Sequence, residues 1–172
     1  SLAFLLITPA VHAQAVYGIE SGVTSVRFHK DALDTIGFSV GGSSGTVTPA
    51  PDYEIGFNIS GATAPKDQFC FTLDPFVPGA GIIEHTGLIS FDGGINIGNF
   101  EVAFDASRLS LTNSGFYITD RADFDGDILF DIGHPLSDSI TETEFTIVDS
   151  NLYIAPEFAP LLGDASFTGL DV

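Results

Sequence analysis

The stretch 84–108, EHTGLISFDGGINIGNFEVAFDASR, restricts the fold more than any other part of the chain. Two apolar-rich runs flank Asp92-Gly93-Gly94, and such a tripeptide takes up the positive φ values that a tight hairpin turn demands. The spacing predicts a central β-hairpin, with the other strands paired and packed against it. Its second arm changes phase, since Ile95 and Ile97 share one parity while Phe100, Val102 and Phe104 share the other. Side chains alternate with period two along a strand, so both sets reach one side only through an extra residue. A β-bulge is therefore expected at Gly98-Asn99.

The same alternation recurs along the chain. YEIGFNIS over 53–60 puts Tyr53, Ile55, Phe57 and Ile59 on one face, and 69–73 repeats the pattern with Phe69, Phe71 and Leu73 inward. One or two strands are expected over 16–28, broken near Ser21-Gly22. A second hairpin joins 115–119 to 128–132 around the acidic loop 120–127. A third is expected to join 142–148 to 152–155 around Asp149-Ser150-Asn151, and a last strand to run over 166–172. GGSSG at 41–45 reads as a flexible loop. Helix is limited to one or two turns at 29–36, with Asp31 as a cap, and one at 156–162, with Pro156 at its first position and Gly163 as its stop. About ten short strands with frequent turns define an all-β fold, a single-domain antiparallel β-sandwich or jelly-roll-like barrel over 14–172.

The charge balance narrows the partners. Five Lys and Arg face 23 Asp and Glu, for a net charge of −18. Such a surface repels phosphate backbones and anionic lipid heads, which argues against nucleic acid and anionic membranes. Sixteen Phe and a hydrophobic fraction of 44% supply a core and argue against disorder. The apolar run 2–7, then Thr8-Pro9 and Val11-His12-Ala13, fits the end of a signal peptide cleaved before Gln14, so 1–13 is expected to be a truncated leader and the protein to be secreted. The C-terminus is likewise expected to be cut. The single cysteine, Cys70, lies in Phe69-Cys70-Phe71 and reads as a core residue.

The leading site candidate is Asp123-Phe124-Asp125-Gly126-Asp127, flanked by Asp120 and Asp131. Carboxylates at alternate positions around a glycine turn can converge on one hard cation, and Ca²⁺ takes such oxygen cages. The order of glycine and acids departs from the EF-hand pattern, so a solvated acidic loop is the competing reading. Ser43 stands in a G-x-S-x-G string, but the extended, proline-broken segment after it lacks the helix that a nucleophile elbow requires. His29, His85 and His134 are widely spaced. His85, beside Glu84 at a strand start, is expected to be a partly exposed cross-strand residue. Nothing singles out a catalytic residue. Tyr17, Tyr53, Tyr117 and Tyr153 are the aromatic groups available for stacking on a sugar.

Three segments taken together, GIESGVTSVRF at 18–28, IIEHTGLISFDGGINIGNFEVAFDASR at 82–108 and APEFAPLLGDASFTGLDV at 155–172, resemble bacterial, chiefly cyanobacterial, secreted proteins of the PEP-CTERM sorting type. The resemblance implies export, with retention in the envelope or matrix, and carries over no functional residues. The expectation is an exported, non-enzymatic β-sandwich that acts by adhesion or association with extracellular polysaccharide or another surface protein, with Ca²⁺ stiffening the acidic loop. A lectin-like carbohydrate-binding module is the alternative, and a secreted carboxylate hydrolase comes last.

Overall fold

The alternation becomes antiparallel sheet almost throughout the computed structural model, which describes residues 14–61 and 67–172. The expected leader at 1–13 and most of the loop at 61–66 lie outside the described residues. In chain order the first strands are β1 Val16–Gly18, β2 Gly22–Val26, β3 Val40–Ser44, β4 Ile55–Ser60, β5 Cys70–Thr72, β6 Val77–Pro78 and β7 Ile82–Thr86. Then come β8 Leu88–Phe91, β9 Ile95–Gly98, β10 Glu101–Leu109, β11 Asn113–Thr119, β12 Ile128–Gly133, β13 Ser137–Ile140, β14 Phe145–Val148 and β15 Leu152–Ile154. One short helix, α1 Lys30–Thr35, follows β2. Seven strands make a strongly curled sheet in the order β15-β12-β11-β10-β7-β4-β2. Two three-stranded sheets, β3-β8-β9 and β1-β5-β6, and the ribbon β13-β14 pack around it.

The central hairpin is present and does more than expected. Phe91 pairs with Ile95 across Asp92-Gly93-Gly94, where Gly93 and Gly94 have φ of 96° and 85°. Its lower half (β7, β10) belongs to the curled sheet and its upper half (β8, β9) to a three-stranded sheet, so the hairpin crosses between sheets. From Glu84–Glu101 to Leu88–Gly98 the first arm advances four residues while the second advances three. The extra residue thus lies on the first arm, near Gly87, and not at Gly98-Asn99. The phase change does fall at Gly98-Asn99, where Asn99 takes φ of 45° and its N–H donates to the Gly87 carbonyl at 2.9 Å. A Cβ on Gly98 would stand 2.1 Å from that same carbonyl. The two backbones touch, and glycine alone permits it.

Other expectations need correcting. Residues 40–44 form an edge strand paired with β8, not a loop. The third hairpin does not form: β14 pairs with β13, Ile140 opposite Phe145, and β15 pairs with β12. The sequence SDSI of β13 has one apolar residue, too few to show alternation, and Asp149 at φ of 53° turns the chain away from a hairpin with β15. Over 166–172 there is a short 3₁₀ turn, Ala165–Phe167, capped by Asp164, followed by a single bridge from Asp171 to Tyr153. His29, not Asp31, occupies the N-cap of α1. The other helical turn is the 3₁₀ segment Ala159–Leu162, so the early proline is Pro160, and Gly163 at φ of 91° ends it. Cys70 is half-buried rather than core, because it points away from the face that carries Phe69 and Phe71; its thiol donates to the Ala80 carbonyl at 3.4 Å.

Two packing layers cover the inner face of the curled sheet. In one, Phe38, Ile89, Phe91 and Ile97 meet Phe57, Phe100 and Ile118 in a nearly dry core, with ring centroids 4.9 Å apart for Phe57–Phe100 and 5.2 Å for Phe38–Phe91. In the other, Phe69, Phe71 and Phe76 gather around Phe145, which anchors the β13-β14 ribbon to the β1-β5-β6 sheet. Phe57, Phe69 and Phe158 are fully buried, and burial of such a ring stabilises by roughly 2–3 kcal/mol each.

Candidate functional site

The five acids of the sequence reading do not converge. Asp120 is fully buried, with Oδ1 accepting from the Gly98 amide at 2.7 Å and Oδ2 from the amides of Ala122, Asp123 and Phe124 at 2.8–2.9 Å. Asp123 accepts from the Asn96 backbone amide at 2.6 Å. Asp125, at φ of 46°, forms the tip of the turn with Gly126. Asp131 lies on the far side of β12, held by Arg108 Nε at 2.6 Å, while Arg108 also forks onto Glu157 at 2.8 and 3.1 Å. That fork, before any other cause, holds the Glu157 carboxyl below its usual range. Among the described residues no group of three His, Cys, Asp or Glu could hold a metal ion. The acidic loop braces the joint between the two sheets at Gly98, and a neutral sequence signal for this role existed: an Asp followed directly by a turn whose amides need an acceptor.

Ser43 is exposed on the edge strand β3. His29 is exposed, 3.6 Å from Asp171, and His134 is exposed with Nε2 3.0 Å from the Ser110 carbonyl. His85 is different. It is 3% exposed, not partly exposed, because it shares the inward parity of Ile83 on β7. Its ring stacks on Phe100 with centroids 4.2 Å apart, and Nε2 lies 2.7 Å from Thr24 Oγ1 on β2. The backbone carbonyls of Ile83 and Phe100 favour the protonated ring, but Nδ1 makes no hydrogen bond among the described residues. Burial pushes the imidazole down from its ordinary 6.5 to about 4, those carbonyls opposing the shift, so the ring is neutral at pH 7.

His85 lines a cavity of about 1120 Å³ to which all seven strands of the curled sheet contribute. Its wall carries Ile59, Ile83, Val102, Phe104, Phe116, Ile118, Ile132 and Leu152, one inward residue or two from each of six strands, with Thr24 from the seventh. The β13-β14 ribbon lies along it and contributes Ile140, Phe145 and Ile147. Two tyrosines tie the ribbon down: Tyr17 donates to Glu142 Oε1 at 2.9 Å near its tip, and Tyr53 donates to Asp149 Oδ1 at 2.8 Å at its base. These hydrogen bonds are the first cause that holds both phenols above their ordinary range. Glu20, Asp138, Glu142, Glu144, Asp149 and Asp171 line the mouth against a single guanidinium, Arg27, itself 5.8 Å above the Tyr53 ring. The wall is mainly apolar, with His85, Thr24 and Ser114 among its neutral polar members and an acidic rim.

No protein-family model, curated protein or solved structure matches the chain.

Proposed function

We propose that this is an exported, non-enzymatic binding protein that holds a small, largely apolar molecule against the inner face of its curled sheet. The observation that carries the reading is the cavity of about 1120 Å³, walled by aliphatic and phenylalanine side chains. Small-molecule sites run to roughly 300–1,000 Å³, are mainly apolar, and carry a few placed polar groups, here His85 and Thr24. Sheets that curl around an apolar interior are a recurrent way to build such a site, though a fold alone assigns no ligand. Binding without chemistry fits His85, whose one side-chain hydrogen-bond partner among the described residues is Thr24, a group that does not tune it as a general base. A sugar platform has less support. Tyr17 and Tyr53 stand at opposite ends of the ribbon, and Tyr117 lies under Arg108 on the outer face, 5.5 Å from its guanidinium.

The test is titration with the neutral dye Nile red, with Val102→Trp as a variant that fills the cavity. Saturable one-to-one binding that the variant loses, with its melting midpoint retained, is the expected result. Binding that is non-saturable, or indifferent to the filled cavity, sinks the reading.

A further inference from the structure

The mouth of the cavity has a chemistry of its own. Beside it lies a cleft of about 310 Å³, lined among the described residues by Tyr17, Asp74, Glu142 and four uncharged neighbours, none of them basic. Tyr17, Ile140 and Glu142 line both spaces, so the cleft adjoins the apolar cavity. Asp74 and Glu142 are exposed, and both charges act on the Tyr17 phenol between them. Glu142 accepts one hydrogen bond, from that phenol, and as a carboxylate it keeps further lone pairs. Inside, His85 stands on the cavity wall at 3% exposure, its Nδ1 closed off from solvent and without a hydrogen-bond partner among the described residues. Among the described residues the interior thus carries no charge that would pair with a buried anion, and the adjoining cleft carries two negative charges beside an aromatic face.

We infer that the ligand is a cationic amphiphile, with an aliphatic or aryl body inside the curled sheet and an ammonium head in the cleft of Tyr17, Asp74 and Glu142. This rests on the cavity-binding reading above and adds the charge of the ligand to it. Carboxylates and a phenol ring are the groups that hold an ammonium, by charge and by the negative face of the ring. A fatty acid of the same length would bring its charge to the same rim and be repelled. An alcohol would gain the apolar contact alone.

Three probes with one body and three heads separate these cases: decylammonium, decanol and decanoate, each displacing Nile red from the full chain below its micelle concentration. The expected order is decylammonium about tenfold tighter than decanol, and decanoate about tenfold weaker, since two exposed charge pairs contribute roughly that factor together. Added salt narrows both gaps, as screening of exposed charges requires. In Glu142→Gln with Asp74→Asn the shapes and the Tyr17 acceptor are kept, so decanol binds as before while decylammonium falls to the level of decanol. If decanol binds at least as well as decylammonium, or the double variant keeps the preference, the inference fails and the cavity reading stands. If neither dye nor probe binds the folded protein, both fall.

Discussion

His85 makes the stability of this protein depend on pH in a window where most carboxylates are silent. In the unfolded chain an imidazole titrates near 6.5, and in the fold burial holds it at about 4. A folded pKa below the unfolded one means that the unfolded state binds the proton first, so stability is fully present above about pH 6.5 and is lost as the pH falls toward 4. Each unit of the gap is about 1.4 kcal/mol, so going from about pH 7.5 to about pH 5 removes roughly 2 kcal/mol through this one residue. With an m-value of about 2 kcal/mol/M in urea, the unfolding midpoint falls by about 1 M. The comparison is His85→Phe with Thr24→Val, which replaces both partners of the 2.7 Å contact by apolar groups and keeps the stack on Phe100. Other titrating groups are common to both proteins and cancel. Urea melts at the two pH values should show the wild type losing roughly 2 kcal/mol more than the variant. Equal losses would refute the claim that burial keeps this imidazole neutral.

Three further outcomes are expected. Asp120→Ala strips the acceptor from four backbone amides around a fully buried site, so calorimetry should show a loss of at least about 3 kcal/mol, or a fall in melting temperature on the order of 10 °C. Gly98→Ala drives a Cβ to 2.1 Å from the Gly87 carbonyl and 2.7 Å from Leu88 Cα; with backbone on both sides it should cost about 3 kcal/mol or more, whereas Gly42→Ala, which meets open space, should stay within about 0.5 kcal/mol. Melting in Ca²⁺ against chelator should give the same midpoint, since Asp120 is already occupied by amides and Asp131 by Arg108; a rise abolished by Asp123→Ala with Asp125→Ala would show that the loop rearranges to bind the ion.

What could be read in the sequence follows physical lines. Turn chemistry is local, so Asp92-Gly93-Gly94 announced its hairpin, and the parity slip from Ile97 to Phe100 located the joint at Gly98-Asn99. Which arm held the extra residue was not legible, because that depends on how Gly87 meets Gly98 in space. The ribbon was missed because its first strand, Ser137–Ile140, lies nearly all in solvent and needs no apolar alternation. His85 was legible: its parity with Ile83 marks it as inward, and Glu84 beside it has the opposite parity. The acids of 120–131 were visible as charge, but whether a carboxylate faces a cation or its own backbone is decided by loop geometry. The cavity has no signature at all. A strand facing a void and a strand facing a packed core carry the same residues, and only the curl of the sheet tells them apart.

The glycine contact at the sheet joint has a mechanical consequence. Because β7-β8 and β9-β10 are two continuous lengths of chain, the curled sheet and the β3-β8-β9 sheet share two stretches of backbone. Neither can open as a separate unit while the other stays closed, so amides on both sides of Gly87 and Gly98 should exchange with solvent at a common, global rate. A molecule that tightens the curled sheet then also slows exchange in β8 and β9, in a sheet it never touches. The small sheet thus gauges whether a molecule is bound by the large one.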